Sequence, residues 1–284
     1  MKLLVGKYSG FCNGVKYTVT KTKEELEKNE KLYSLGELVH NEEVINDLKN
    51  KGLLIKDSIL DIPDNSRVII RAHGEPLETY ELAKKKNIEL IDLTCGKVKL
   101  IHTKINNKKT DYFIIIIGKK THPETIAHKS YSDNTYVVED LSDISDSYEI
   151  FKNSNLKSIY VVAQTTFNSE KFDKIVDEIK KIYNDYPIIV DKTICNTTNL
   201  RQDEAFDISK KVDKMIIIGG KNSSNTKELE IIAKRNLNDV YLIQTYHDLD
   251  NYAFDKNDIV GIVAGASTPF ETIERVIDYL QKID

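Results

Sequence analysis

Three cysteines, Cys12, Cys95 and Cys195, are spread widely along the 284-residue chain. No two are close enough to form a CxxC pair, and an odd, dispersed set does not make a disulfide framework. They do stand in register with other polar residues. Cys12 precedes Gly36 by 24 residues, Cys95 precedes Gly118 by 23, and Cys195 precedes Gly219 by 24. Four residues past those glycines stand His40, His122 and Ser223. A further β-rich segment in each third ends on His73 (VIIRAHGEP), Thr165 (YVVAQTTFN) or Ser267 (GIVAGASTP). Singly, a lone cysteine is most often a small buried hydrophobe and a lone histidine a satisfied loop residue. Three matched sets are a repeated unit, each supplying one thiol and two polar side chains.

Zinc bound by three thiolates and a histidine is one use of such a set, but structural zinc sites favour closely spaced ligand pairs. Ligands drawn one from each repeat point to a central cofactor. A [4Fe–4S] cluster normally takes four thiolates, so three would leave one iron without a protein ligand. An open iron backed by an electron reservoir is a Lewis-acid site for a substrate oxygen, which points to an enzyme. The repeat adds His40, His73, His122, Thr165, Ser223, Ser224, Asn225 and Ser267, with Glu124 two residues past His122. In KNSSNTKEL, the Ser223–Ser224–Asn225 run follows a Gly-Gly turn at a helix start. That is the pattern of an ordinary N-cap, and equally of a phosphate or diphosphate pocket. Glu124 is the one carboxylate in the converging set and is the candidate proton donor.

The elements that must position these groups alternate short apolar runs with amphipathic stretches. KLLVG, KLYSLG, SRVIIRA, IELIDL, DYFIIIIG, SIYVVAQ, YPIIVD, KMIIIGG, VYLIQT and DIVGIVAG read as strands. VKYTVTKTKEELEKN, PLETYELAKKKN, SEKFDKIVDEIKKIYNDY and NTKELEIIAKRN read as helices. Continuous apolar strands joined by helices predict parallel sheets covered on both faces. Ligand groups then gather at the carboxyl ends of the strands. The expected fold is α/β, with three similar units, 1–94, 95–190 and 191–284, in a pseudo-threefold trefoil around a central cluster.

Composition narrows the class. With 40% hydrophobic and 30% charged residues the chain is globular, and a net charge of −4 gives nucleic acid no foothold. The longest apolar run, YFIIII, falls far short of the roughly 20 residues a membrane helix needs. The opening MKLLVGKYSG is too short for a signal peptide. A cytoplasmic location is expected.

The segments GFCNGV, LGELVHNEEV, RAHGEP, DLTCGKV, GKKTHPE, QTT, TICNTTNLRQ, GGKNSSNT and GASTP run in order from Gly10 to Pro269. Together they resemble the signature of the 4-hydroxy-3-methylbut-2-enyl diphosphate reductase family, the last step of the non-mevalonate isoprenoid route. The resemblance implies a two-electron reductive removal of an allylic hydroxyl, giving isopentenyl and dimethylallyl diphosphate. It implies Cys12, Cys95 and Cys195 as cluster ligands, and His40, His73, Ser223, Ser224, Asn225 and Ser267 as the diphosphate pocket with His122 beside them. Glu124 matches the proton-delivering carboxylate and Thr165 the hydroxyl that orients it and the substrate. Ferredoxin or flavodoxin is the implied electron donor. The family more often has alanine at Asn13 and proline at Gly96. Two other readings of the residues are a redox-neutral iron–sulfur hydro-lyase and a phospholigand-binding module with structural thiols.

Overall fold

Phe113–Ile117, FIIII, is buried at every position, as is Ile159–Ala163, IYVVA. Alternate side chains of a strand leave opposite faces, so each run needs cover on both sides. In the computed structural model, which describes residues 1–28 and 30–283, that cover is present. Phe113, Ile115 and Ile117 pack into one core with Phe172, Ile175 and Ile179, while Ile114 and Ile116 join Ile101 and Ile105 in another. Each buried branched side chain contributes on the order of 1.5–3 kcal/mol, and β-branching suits it to a pleated surface.

Among the described residues there are three four-stranded sheets. The first has the order β1 (Lys2–Val5), β12 (Ile259–Ala264), β10 (Lys214–Ile218), β11 (Val240–Ile243). The second runs β3 (Leu53–Lys56), β2 (Leu32–Leu35), β4 (Arg67–Ile70), β5 (Glu89–Asp92). The third runs β7 (Thr135–Val138), β6 (Phe113–Ile117), β8 (Ile159–Ala163), β9 (Ile188–Val190). Their registered pairs are parallel, as the continuous apolar runs predict. The connecting helices are α1 (Asn13–Leu26), α2 (Glu42–Asn50), α3 (Leu77–Lys85), α4 (Gly96–Lys108), α5 (Pro123–Lys129), α6 (Asp143–Lys152), α7 (Ser169–Ile182), α8 (Asn196–Ser209), α9 (Ser224–Ala233) and α10 (Phe270–Leu280). The expected helix VKYTVTKTKEELEKN is α1, and its last residue, Asn29, lies outside the described residues. None of these helices is long and apolar enough to cross a membrane.

The chain forms two compact units. Met1–Asn29, Glu37–Leu53 and Asn196–Asp284 make the first; Glu30–Gly36 and Leu54–Cys195 make the second. The first sheet lies in the first unit, and the other two, apart from Leu53, lie in the second. Strand β1 pairs with β12, Leu3 opposite Val260 and Val5 opposite Ile262, so the opening strand completes the sheet of the C-terminal segment. Helices α1 and α2 join the same unit. There Lys23 meets Asp47 at 2.9 Å, and Glu43 accepts hydrogen bonds from Thr272 (2.6 Å) and Arg275 (2.9 Å) of α10. These contacts fix the start of α2, and with it His40.

Candidate active site

Each cysteine stands where a strand gives way to a helix: Cys12 and Cys95 at the caps of α1 and α4, Cys195 directly ahead of α8. All three have a backbone partner at the equivalent position. Cys12 N–H donates to the Ala266 carbonyl at 3.1 Å, Cys95 to Ala72 at 3.0 Å, and Cys195 to Thr165 at 2.9 Å. Ala266, Ala72 and Thr165 each lie two residues past the end of the neighbouring strand, β12, β4 or β8. None of the three cysteines is in a disulfide, and all are half-buried. In the first unit, buried Arg201 donates to the Gly10 carbonyl at 2.7 Å and ties down the loop that carries Cys12. Gly96, the first residue of α4, has open space where a Cβ would stand; proline is well suited to a first helical position, so glycine there is not a steric need.

The second repeated position holds in the structure. His40, His122 and Ser223 each come five residues past the end of β2, β6 or β10. The third shows an offset: His73 and Ser267 stand three residues past their strands and Thr165 two. Thr165 therefore aligns with Ala72 and Ala266.

The first unit contains Cys12, His40, Ser223, Ser224, Asn225 and Ser267. Gly220 lies against the His40 carbonyl, and Ser267 Oγ donates to the same oxygen at 3.4 Å. Ser223 caps α9, its Oγ accepting from Thr226 N at 3.3 Å. Asn225 is 4% exposed, and neither its amide nitrogen nor its carbonyl oxygen has a hydrogen-bond partner among the described residues. An unpaired buried polar group costs about 1–3 kcal/mol, a cost that a bound polar ligand removes.

The second unit contains His73, Cys95, His122, Glu124, Thr165 and Cys195. The His73 and His122 rings meet edge to face at 5.3 Å. His122 caps α5, its Nδ1 accepting from Glu124 N at 3.2 Å, so a neutral His122 carries its proton on Nε2. Glu124 is 1% exposed. Its Oε1 accepts from Thr165 N at 2.6 Å, and its Oε2 accepts from Thr165 Oγ1 at 2.7 Å. His128 Nε2 lies 3.2 Å from Oε1. Burial pushes the Glu124 carboxyl up, but His128, His122 and the Thr165 N–H outweigh it and hold the carboxyl below its ordinary range. Gln164 braces this loop: its Oε1 accepts from Lys119 N at 3.0 Å and its Nε2 donates to Thr166 at 2.8 Å.

Sequence reasoning missed His128, Gln164 and Arg201. The signal for His128 was present in HPETIAHK, where it follows Glu124 by four residues and shares its helix face.

A family profile described as LytB protein matches residues 3–281. The chain belongs to the LytB protein family. Among its relatives in the family, the 4-hydroxy-3-methylbut-2-enyl diphosphate reductase of Thermoanaerobacter sp. (strain X514) is 39% identical, over 98% of this chain and 96% of that protein. The same-named protein of Clostridioides difficile (strain 630) is 37% identical over the full length of both. The solved structure of the E-1-hydroxy-2-methyl-but-2-enyl-4-diphosphate reductase from Plasmodium falciparum matches with a TM-score of 0.90 and 30% identity, covering 99% of this chain and 88% of that one. The α/β fold of three parallel sheets is thus that of a LytB reductase.

Proposed function

We propose that this LytB-family chain reduces 4-hydroxy-3-methylbut-2-enyl diphosphate to isopentenyl and dimethylallyl diphosphate, the terminal step of the non-mevalonate pathway. Substrate, two electrons and two protons give product and water. Cys12, Cys95 and Cys195 would hold a [4Fe–4S] cluster with one iron free of protein ligands, the three sequence units meeting around it as a trefoil. The observation that carries this reading is the equivalent placement of the backbone partners of the three cysteines, each two residues past the neighbouring strand. Three cysteines outside any disulfide, in equivalent settings beside helix N-termini whose N–H groups suit negative charge, fit a cluster bound by thiolate. When bound, the cluster supplies electrons and a Lewis-acidic iron.

The protein groups do the rest. His40, His73, Ser223, Ser224, Asn225 and Ser267 bind the diphosphate, with His122 beside them; the unpaired Asn225 amide and the hydroxyls match its oxygens. Fixing that end of the substrate lowers the entropic part of the barrier. Glu124, oriented through both of its oxygens by Thr165, delivers the proton with which the hydroxyl departs as water. The electrons come from a ferredoxin or flavodoxin, and the enzyme works in the cytoplasm.

Glu124→Gln tests the assignment. The amide cannot donate a carboxyl proton, so turnover with dithionite should fall at least 100-fold while iron content stays that of the unsubstituted protein. Near-normal turnover would remove Glu124 from the role. Activity without any reductant would favour the hydro-lyase.

A further inference from the structure

Glu124 accepts hydrogen bonds on both oxygens and is shielded from solvent, so an acid role requires a proton source inside the protein. Its hydrogen-bond partners are Thr165 and His128. A threonine hydroxyl does not store a proton, whereas an imidazole does. His128 is fully buried, stands one helical turn after Glu124 on α5, and lies 3.2 Å from Oε1 through Nε2. Its other nitrogen, Nδ1, is buried without a hydrogen-bond partner. Among the described residues, Glu124 alone therefore orients the ring by hydrogen bonding.

His128 is faced by groups from α4 and from its own helix. From α4, His102 meets it edge to face at 5.0 Å. Burial, then the neighbouring His128, holds the His102 ring down to about 3, so it is neutral and does not compete. Tyr131 stacks on the His102 ring, with centroids 4.1 Å apart. Gly74, at φ +75°, lies so close to His102 that a Cβ would stand 2.8 Å from its Cε1. His122 caps the same helix, and Asp92 and Lys99 act on His102 from further out. Among these groups the Glu124 carboxylate is the counter-charge in contact with His128.

We propose that His128 is a positioning residue for the reduction, orienting Glu124 and holding the proton that Glu124 delivers. The proposal rests on the reading of Glu124 as the acid. Between turnovers the proton sits on Nε2 as an imidazolium–carboxylate pair of no net charge. On demand the Nε2–H bond breaks, its electron pair stays on nitrogen, and the proton forms an O–H bond with a lone pair of Oε1. His128 is left as neutral imidazole and Glu124 as the carboxylic acid.

Two substitutions separate orientation from proton storage. In His128→Gln the side-chain amide can still donate to Oε1 but cannot store a proton; in His128→Leu both properties are lost. Turnover with dithionite, KM, and the visible absorption of the cluster are measured from about pH 6 to 9, where a base and its acid exchange roles. Both variants should keep the absorption, with KM within about twofold of the unsubstituted enzyme and kcat at neutral pH reduced about tenfold or more. The alkaline limb of kcat should move to lower pH in both, since a carboxyl alone gives up its proton sooner than the coupled pair. If His128→Leu fails to fold, His128→Gln decides. A His128→Gln enzyme with unchanged kcat and an unmoved alkaline limb overturns the proposal. The failures are distinguishable: an active Glu124→Gln enzyme removes the acid itself, while an inactive one beside a normal His128→Gln removes only His128.

Discussion

Gly220 lies so close to the backbone of His40 that a Cβ on it would stand 2.0 Å from the His40 carbonyl oxygen. The Gly219–Gly220 turn after β10 is therefore where one loop of the first unit rests on another. The contact is backbone against backbone, so no side-chain rotation relieves it. Gly220→Ala must push the His40 loop away from Ser223 and Ser267. Overpacking of this kind costs about 1–3 kcal/mol. The variant should unfold a few degrees lower and bind substrate less tightly. An alanine variant with unchanged melting temperature and KM would show the contact to be slack.

Much of this architecture is legible in the sequence. All ten expected strands are present, because runs such as KMIII and FIIII are buried on both faces and read as apolar without interruption. The two missed strands, β3 (LLIK) and β7 (TYVV), are four-residue edges with half-exposed positions; so few residues carry no usable period. The pairing of β1 with β12 was not legible either, since Leu3 and Val260 are matched by tertiary packing and not by any local pattern. For the candidate site, the repeat led to the glycine-plus-four residues and to the cysteines. It could not show that Thr165 is one residue out of step, which depends on where β8 ends. Nor does the repeat include His128, whose link to Glu124 lies in the four-residue spacing along one helix face and not in the repeated positions.

Asn225→Ala should have opposite effects on stability and binding. The substitution removes an amide whose two polar atoms are buried without partners, so the ligand-free protein should be as stable or more stable. Hydrogen bonds to charged groups contribute roughly 1.5–3 kcal/mol, so affinity for diphosphate should fall about tenfold or more. Thermal unfolding with and without inorganic diphosphate reads both. A variant destabilised without ligand and unchanged in affinity would mean the amide serves the fold.

His102 makes stability depend on acidity. Its folded value is held at about 3, below the ordinary 6.5, chiefly by burial. As pH falls below about 6.5 the unfolded chain takes up a proton that the folded protein refuses until about pH 3. The contribution is therefore complete above that window and is lost progressively through it. Unfolding temperatures measured between these limits should decline less steeply in His102→Leu than in the unsubstituted protein. Parallel slopes would show that His102 does not differ between the two states.

The central claim is that three thiols, one from each sequence repeat, bind one iron–sulfur cluster with an iron left for substrate. Mössbauer spectroscopy of anaerobically prepared, 57Fe-loaded protein, with and without substrate, tests it most directly. The account predicts about four irons per chain, one of which changes its signal when substrate binds, and loss of that spectrum in Cys195→Ser. Four irons indifferent to substrate, or a Cys195→Ser protein with the full spectrum, would contradict it.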